Sequence, residues 1–96
     1  MPYYLYILAN KPNGTFYVGK TEGLVKRVWQ HKKKHMDGFT AKYNLDKLAY
    51  YEILDEAAEM VQRERLLKFW KREWKISLIE KNNPMWVDLY PGIINR

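Results

Sequence analysis

The chain holds no cysteine among its 96 residues. Disulfides and thiolate metal sites are therefore excluded. Two histidines without a cysteine do not make a typical zinc site. Small secreted domains usually rely on covalent staples, so their absence points to the cytoplasm. No apolar run approaches the roughly 18 residues of a membrane span. The N-terminus lacks the basic stretch and apolar core of a secretory signal, and no membrane association is expected. A phosphate-cradling glycine loop, a zinc-protease helix motif and a nucleophile elbow are also missing. Internal repeats, low-complexity tracts and linkers are missing too, so 1–96 reads as one domain. Acidic residues are scarce, 11 against 17 Lys and Arg, for a net charge of +6. A polyanion is then the favoured partner, and nucleic acid is the commonest. A charge of this size is also ordinary for solubility.

Aromatic residues are plentiful: four Trp, eight Tyr and three Phe in a chain that is 47% hydrophobic. That supports an efficient core in a small domain and leaves disorder only at the ends. Tyr3–Ala9 is rich in aromatic and branched residues and reads as a strand. Lys11-Pro12-Asn13-Gly14 supplies turn chemistry, and 15–20 returns as a second strand, making a β-hairpin. A helix is expected over 24–35, capped by Thr21, with Leu24, Val25 and Val28 as its apolar stripe and Asp37-Gly38 as its stop. Lys47–Leu54 reads as a third strand. Asp55 is placed to cap a long helix over 56–74, which breaks near 71–74 into a last helix through 81. Pro84 ends helical structure, and the tail over 90–96 is expected to fray. The order ββαβαα gives an α+β fold: a small three-stranded antiparallel sheet flanked by helices.

Within the hairpin an even-length loop puts Tyr6 and Tyr17 on one sheet face. With a four-residue loop Tyr17 lies opposite Leu8, one diagonal step from Tyr6 and within reach of it. Such a pair either stabilises the strands or belongs to a site. Gly19 lets another group approach the backbone closely, or simply marks a strand exit. Arg27 and His31 are four apart and share a helix face beside the apolar stripe; Lys32, Lys34 and His35 extend this basic face, solvated or in loose contact with phosphates. Glu64 falls inside the apolar arc of Ala57, Met60, Val61 and Leu67. A carboxylate there needs a cation such as Arg27, a metal, or a shifted pKa. Asn83, before Pro84, reads foremost as a turn former.

Tyr4-Leu5-Tyr6 followed by Tyr17-Val18-Gly19 resembles the paired motifs of the GIY-YIG nuclease superfamily. Arg27 and His31 match the family's next motif in order and spacing. Glu64 matches its metal-binding glutamate, and Asn83 a C-terminal asparagine often found near the site. The resemblance covers nearly the whole chain, from about 3 to 89. The stretch over 63–89 is similar to small stand-alone bacterial members, often described as resembling the catalytic domain of the excinuclease incision subunit. Tyr4 and Leu5 depart from the Gly and Ile of the motif name, and stand-alone members share the missing Gly. The resemblance implies an endonuclease that hydrolyses DNA phosphodiester bonds with one divalent cation, Mg²⁺ or Mn²⁺, with repair or recombination as the expected setting; RNA stays open as a substrate. It implies Tyr6, Tyr17, Arg27, His31 and Glu64 as catalytic residues, Glu64 being the metal ligand, and Lys20, Lys32, Lys34 and Asn83 as nucleic-acid contacts. Arg27 would hold the scissile phosphate. Tyr17 is the general base once nearby positive charge lowers its pKa, with His31 open as an alternative. Larger members often add a separate DNA-binding domain, for which 96 residues leave no room, so a protein partner for targeting is one expectation. Two rival readings are a nucleic-acid-binding module with weak or lost catalysis, and a protein-interaction domain built on Trp70, Arg72 and Trp74.

Overall fold

The structure is a computed structural model and describes residues 2–34 and 38–94. Its elements are β1 (Tyr3–Ala9), β2 (Phe16–Thr21), α1 (Leu24–Lys32), α2 (Gly38–Lys42), β3 (Lys47–Leu54), α3 (Ala57–Phe69), α4 (Arg72–Asn82) and α5 (Tyr90–Ile94). The α+β class and the three-stranded antiparallel sheet are as expected, and two five-residue helices, α2 and α5, add to the expected order. The sheet order is β2-β1-β3, so β1 is central and β2 and β3 are edges. No described helix is long and apolar enough to cross a membrane.

β1 is buried on both faces, which explains its nearly unbroken apolar run. Leu5, Ile7 and Ala9 join Val18, Ala49, Leu67 of α3, Ile79 of α4 and Trp86 in one core. Tyr6 and Leu8 point the other way, to Leu24 and Val28 of α1, Leu45, Leu48 and Ile93. The two cores make a layered sandwich with the sheet in the middle.

The hairpin takes the four-residue register. Leu8 pairs with Tyr17 and Ala9 with Phe16, and the Asn10 amide donates to the Thr15 carbonyl at 3.2 Å. The left-handed turn position falls on Asn13 (φ 57°) rather than on Gly14, a conformation asparagine tolerates well. Arg72 donates to the carbonyls of Asn13 and Gly14, which pins the loop to the start of α4.

Several expectations are corrected. Thr21 does not cap α1: it closes β2, its hydroxyl accepts the Gly23 amide at 3.1 Å, and Gly23 takes the cap position. Glu56, not Asp55, caps α3, in a reciprocal capping box with Glu59. The segment expected to fray instead forms α5 and buries Ile93. It is tied down by Asp88, which accepts the Leu48 and Tyr90 amides at 3.0 Å each, and by the Leu89 amide, which donates to the Leu48 carbonyl. The long helix does break, at Trp70 and Lys71, both extended. α1 itself ends at Lys32, short of the expected His35, with Lys33 as its C-cap and Lys34 in the left-handed region (φ 58°), and Gly38 opens α2 instead of stopping α1; His35 and Asp37 lie outside the described residues.

Candidate active site

The hairpin register sets the geometry. Tyr6 pairs with Gly19 across β1 and β2. A methyl group at Gly19 would lie 2.5 Å from both Cζ and the hydroxyl oxygen of Tyr6, so the absence of a side chain is what lets the Tyr6 phenol cross the edge strand. Tyr17, one diagonal step away, brings its ring centroid to 6.5 Å from that of Tyr6.

α1 docks on this face through Leu24 and Val28. Less than one turn beyond Val28, His31 is carried into the interior, where it is 3% exposed. Its Nε2 lies 3.2 Å from the Tyr6 hydroxyl and its Nδ1 3.1 Å from the Thr40 hydroxyl of α2. Its ring is 6.0 Å from Tyr6 and 5.9 Å from Tyr17. Arg27, one turn earlier, places its guanidinium beside the Tyr6 hydroxyl. Burial, and then Tyr17, push the Tyr6 phenol well above the ordinary tyrosine range, and Arg27 only partly offsets them. Tyr6 therefore keeps its proton. That proton is within reach of His31 Nε2.

Glu64 arrives from the opposite face. α3 buries Leu67 in the other core and presents Glu64, 14% exposed, to the edge of β2. Its Oε1 accepts from Lys20 Nζ at 2.9 Å and its Oε2 lies 3.1 Å from Lys68 Nζ. The cation expected in Arg27 is thus supplied by two lysines. Burial would raise the Glu64 carboxyl, but hydrogen bonds from Lys20 and Lys68 outweigh it and hold the group below the usual range. Lys68 also lies 5.7 Å from the centroid of Tyr17. The five expected catalytic residues therefore gather around one strand edge, four on one side of β2 and Glu64 reaching it from the other. Lys20, Arg27, Gln30 and Met60 line a cleft of about 460 Å³ beside them.

Within the cluster a metal ion would find one carboxylate, Glu64, while Glu22 lines the neighbouring cleft. Among the described residues no cluster of three or more His, Cys, Asp or Glu side chains is placed to hold an ion. A single carboxylate fits Mg²⁺, which keeps several waters and takes remaining ligands from phosphate, provided the lysines yield the Glu64 oxygens.

Other sequence candidates fall elsewhere. Lys32 donates to Asp88 and to the Asp46 carbonyl at 2.6 Å, and its ammonium sits 5.0 Å from the Tyr90 ring. It anchors the C-terminal segment rather than offering itself to phosphate. Asn83 is buried: its amide donates to the carbonyls of Ala49 (2.9 Å) and Val87 (2.8 Å) and its oxygen accepts the Val87 amide. All its polar capacity goes to backbone, so it is a bracket for the turn and not a ligand. Lys34 is exposed and donates to Asn44 at 2.9 Å. Thr40 and Lys68 were not anticipated. The Glu64/Lys68 spacing of four was the available signal for Lys68, whereas a threonine in a short segment gives none.

The chain is similar to known proteins in sequence and in fold. The chain is 29% identical over 79 residues to a UPF0213 protein of Staphylococcus saprophyticus, a match spanning 82% of this chain and 95% of that one. The solution structure of a UPF0213 protein from Bacillus halodurans superposes with a TM-score of 0.54 at 23% identity, covering 86% of this chain and 87% of that one, a likeness of fold. The model of the GIY-YIG catalytic domain matches residues 2–77, which span every residue of the strand-edge cluster, and the chain belongs to that nuclease family.

Proposed function

We propose that the chain is a divalent-metal-dependent endonuclease that hydrolyses DNA phosphodiester bonds, with a role in repair or recombination. The convergence of Tyr6, Tyr17, Arg27 and His31 with Glu64 around the open edge of β2 carries this reading. Arg27 lines the cleft and presents fixed donors to the scissile phosphate. Tyr17 removes the proton of the attacking water. It is the suitable phenol because Tyr6 is committed to its proton by burial and serves to orient His31. His31, held by Tyr6 and Thr40, lies against Tyr17 and fixes its position. Mg²⁺ or Mn²⁺ bound at Glu64 would stabilise the charge on the phosphoryl and leaving oxygens. Lys20 and Lys68 move from the carboxylate to the phosphates when substrate arrives, which neutralises the backbone and frees Glu64.

Incubation with supercoiled plasmid in Mg²⁺ or Mn²⁺ tests this. Nicking is expected for the wild type and absent with EDTA or in Glu64→Ala; nicking by Glu64→Ala at the wild-type rate would overturn the assignment. A second reading, a nucleic-acid-binding module, is favoured by one observation: both Glu64 oxygens are engaged by ammonium groups. Salt-sensitive DNA binding without metal-dependent cleavage would select it.

A further inference from the structure

From Tyr17 of the strand-edge cluster runs a row of two further aromatic rings, Phe39 and Tyr43, that the catalytic reading does not use. Phe39 of α2 packs its ring 6.4 Å from Tyr17, and Tyr43 follows at 5.0 Å from Phe39. Phe39 is 44% exposed and Tyr43 40% exposed. Burial of a phenylalanine is strongly favourable, so a ring half open to water beside a polar site is the informative case. A lysine stands at each end of the row: Lys68 near Tyr17 at 5.7 Å, and Lys42 near Tyr43 at 5.4 Å.

Exposed rings interleaved with cations form the surface on which single-stranded nucleic acid binds. Bases stack on the rings while phosphates follow the positive charge. In a continuous duplex the base faces are already stacked on one another, so an aromatic surface selects nucleotides that have left the helix. Because the row begins at Tyr17, a base resting on Phe39 belongs to the strand next to the phosphate being attacked. The net charge of +6 suits the polyanion.

We propose that Phe39 and Tyr43 form a stacking platform for an unpaired base flanking the scissile phosphate, so that the substrate is DNA with a single-stranded segment at the cut. This rests on the nuclease reading above and narrows its substrate.

The test is binding of a short fluorescent oligonucleotide in EDTA, single-stranded or as a blunt duplex, with 2-aminopurine in the strand to report stacking. Wild type is expected to prefer the single strand and to quench the 2-aminopurine. Phe39→Leu keeps apolar volume without the π face; it should lose about fivefold or more of the single-strand affinity, change duplex affinity less than about twofold, and abolish quenching. Phe39→Trp should retain both affinity and quenching. Equal affinities of wild type and Phe39→Leu for the single strand, or equal losses for both substrates, would overturn the platform while leaving the nuclease reading intact. Failure of the wild type to bind either substrate would overturn both.

Discussion

Arg63 and Glu64 are neighbours on α3, yet they serve opposite edges of the sheet. Arg63 reaches β3 and grips Glu52 with two parallel bonds, Nε to Oε1 at 2.8 Å and Nη2 to Oε2 at 2.7 Å. Tyr50 also donates its hydroxyl to Glu52. Glu64 reaches β2 and meets two lysines, one per oxygen. Both carboxylates are largely covered, and their partners ionise both below the usual range against the cost of burial. The difference lies in the cations. A planar fork fixes its partner bidentately, whereas a lysine is a mobile point charge on a long stem. The β3 edge is built to stay closed; on the proposed function the β2 edge exchanges partners with a phosphate backbone.

The largest expected effect that would separate the two edges is catalytic. Tyr17→Phe should lower the nicking rate by about 100- to 10,000-fold, with DNA affinity unchanged in a gel-shift titration. Unchanged turnover would transfer the base role to His31. On the closed edge the effect should instead be on stability. Arg63→Leu leaves Glu52 without its fork and should cost about 1–3 kcal/mol in urea unfolding, with plasmid nicking per folded molecule unaltered. A loss of nicking there would break the division.

Acid sharpens the same contrast. Glu52, Glu64 and Asp88 all ionise more readily in the folded chain than unfolded. The unfolded chain thus takes up protons first as pH falls, and the stability these groups contribute is complete above the ordinary carboxylate range. It should decline below about pH 4–5. Thermal melts between pH 7 and 3 should show that decline, and Glu52→Gln should flatten part of it. Smallest is Lys68→Ala. Lys68 is itself half exposed and Glu64 keeps Lys20, so the loss of this pair spaced by four should cost about 0.3–0.5 kcal/mol and barely change melting, while the slope of log affinity against log salt should fall by about one phosphate contact.

The sequence carried much of the fold. β1 and β3 were legible to the residue because aromatic and branched runs bounded by turn residues mark them, and the shared face of Tyr6 and Tyr17 followed from an even-length loop, two residues or four, between which the structure selects four. α2 and α5 were not legible. Five residues cannot display a helical period, and helices that short depend on tertiary packing. The tail's docking was hidden for the same reason: Asp88 holds it through residues 40 and 56 positions away, Leu48 and Lys32. Within the site, residue types and spacing marked the candidates and the family resemblance joined them into one set, but the partners of Glu64 and the burial of Asn83 arise only when distant elements meet. Arg27 was the expected cation for Glu64 because sequence shows which charges exist and not which strand edge brings them together.

The bond between Lys20 and Glu64 spans 44 positions of the chain. A ribosome therefore releases the hairpin and α1 well before it releases α3. Domains fold in the order they emerge, at about 5–20 residues per second, so a nascent chain carries its tyrosines, arginine and histidine for seconds without the carboxylate they work with. On the proposed function, the spread of the site along the gene acts as a safety interlock: a nascent chain that stops short of Glu64 lacks part of the cutting apparatus, and the hazard to nucleic acid near the translating ribosome arises only once α3 has emerged.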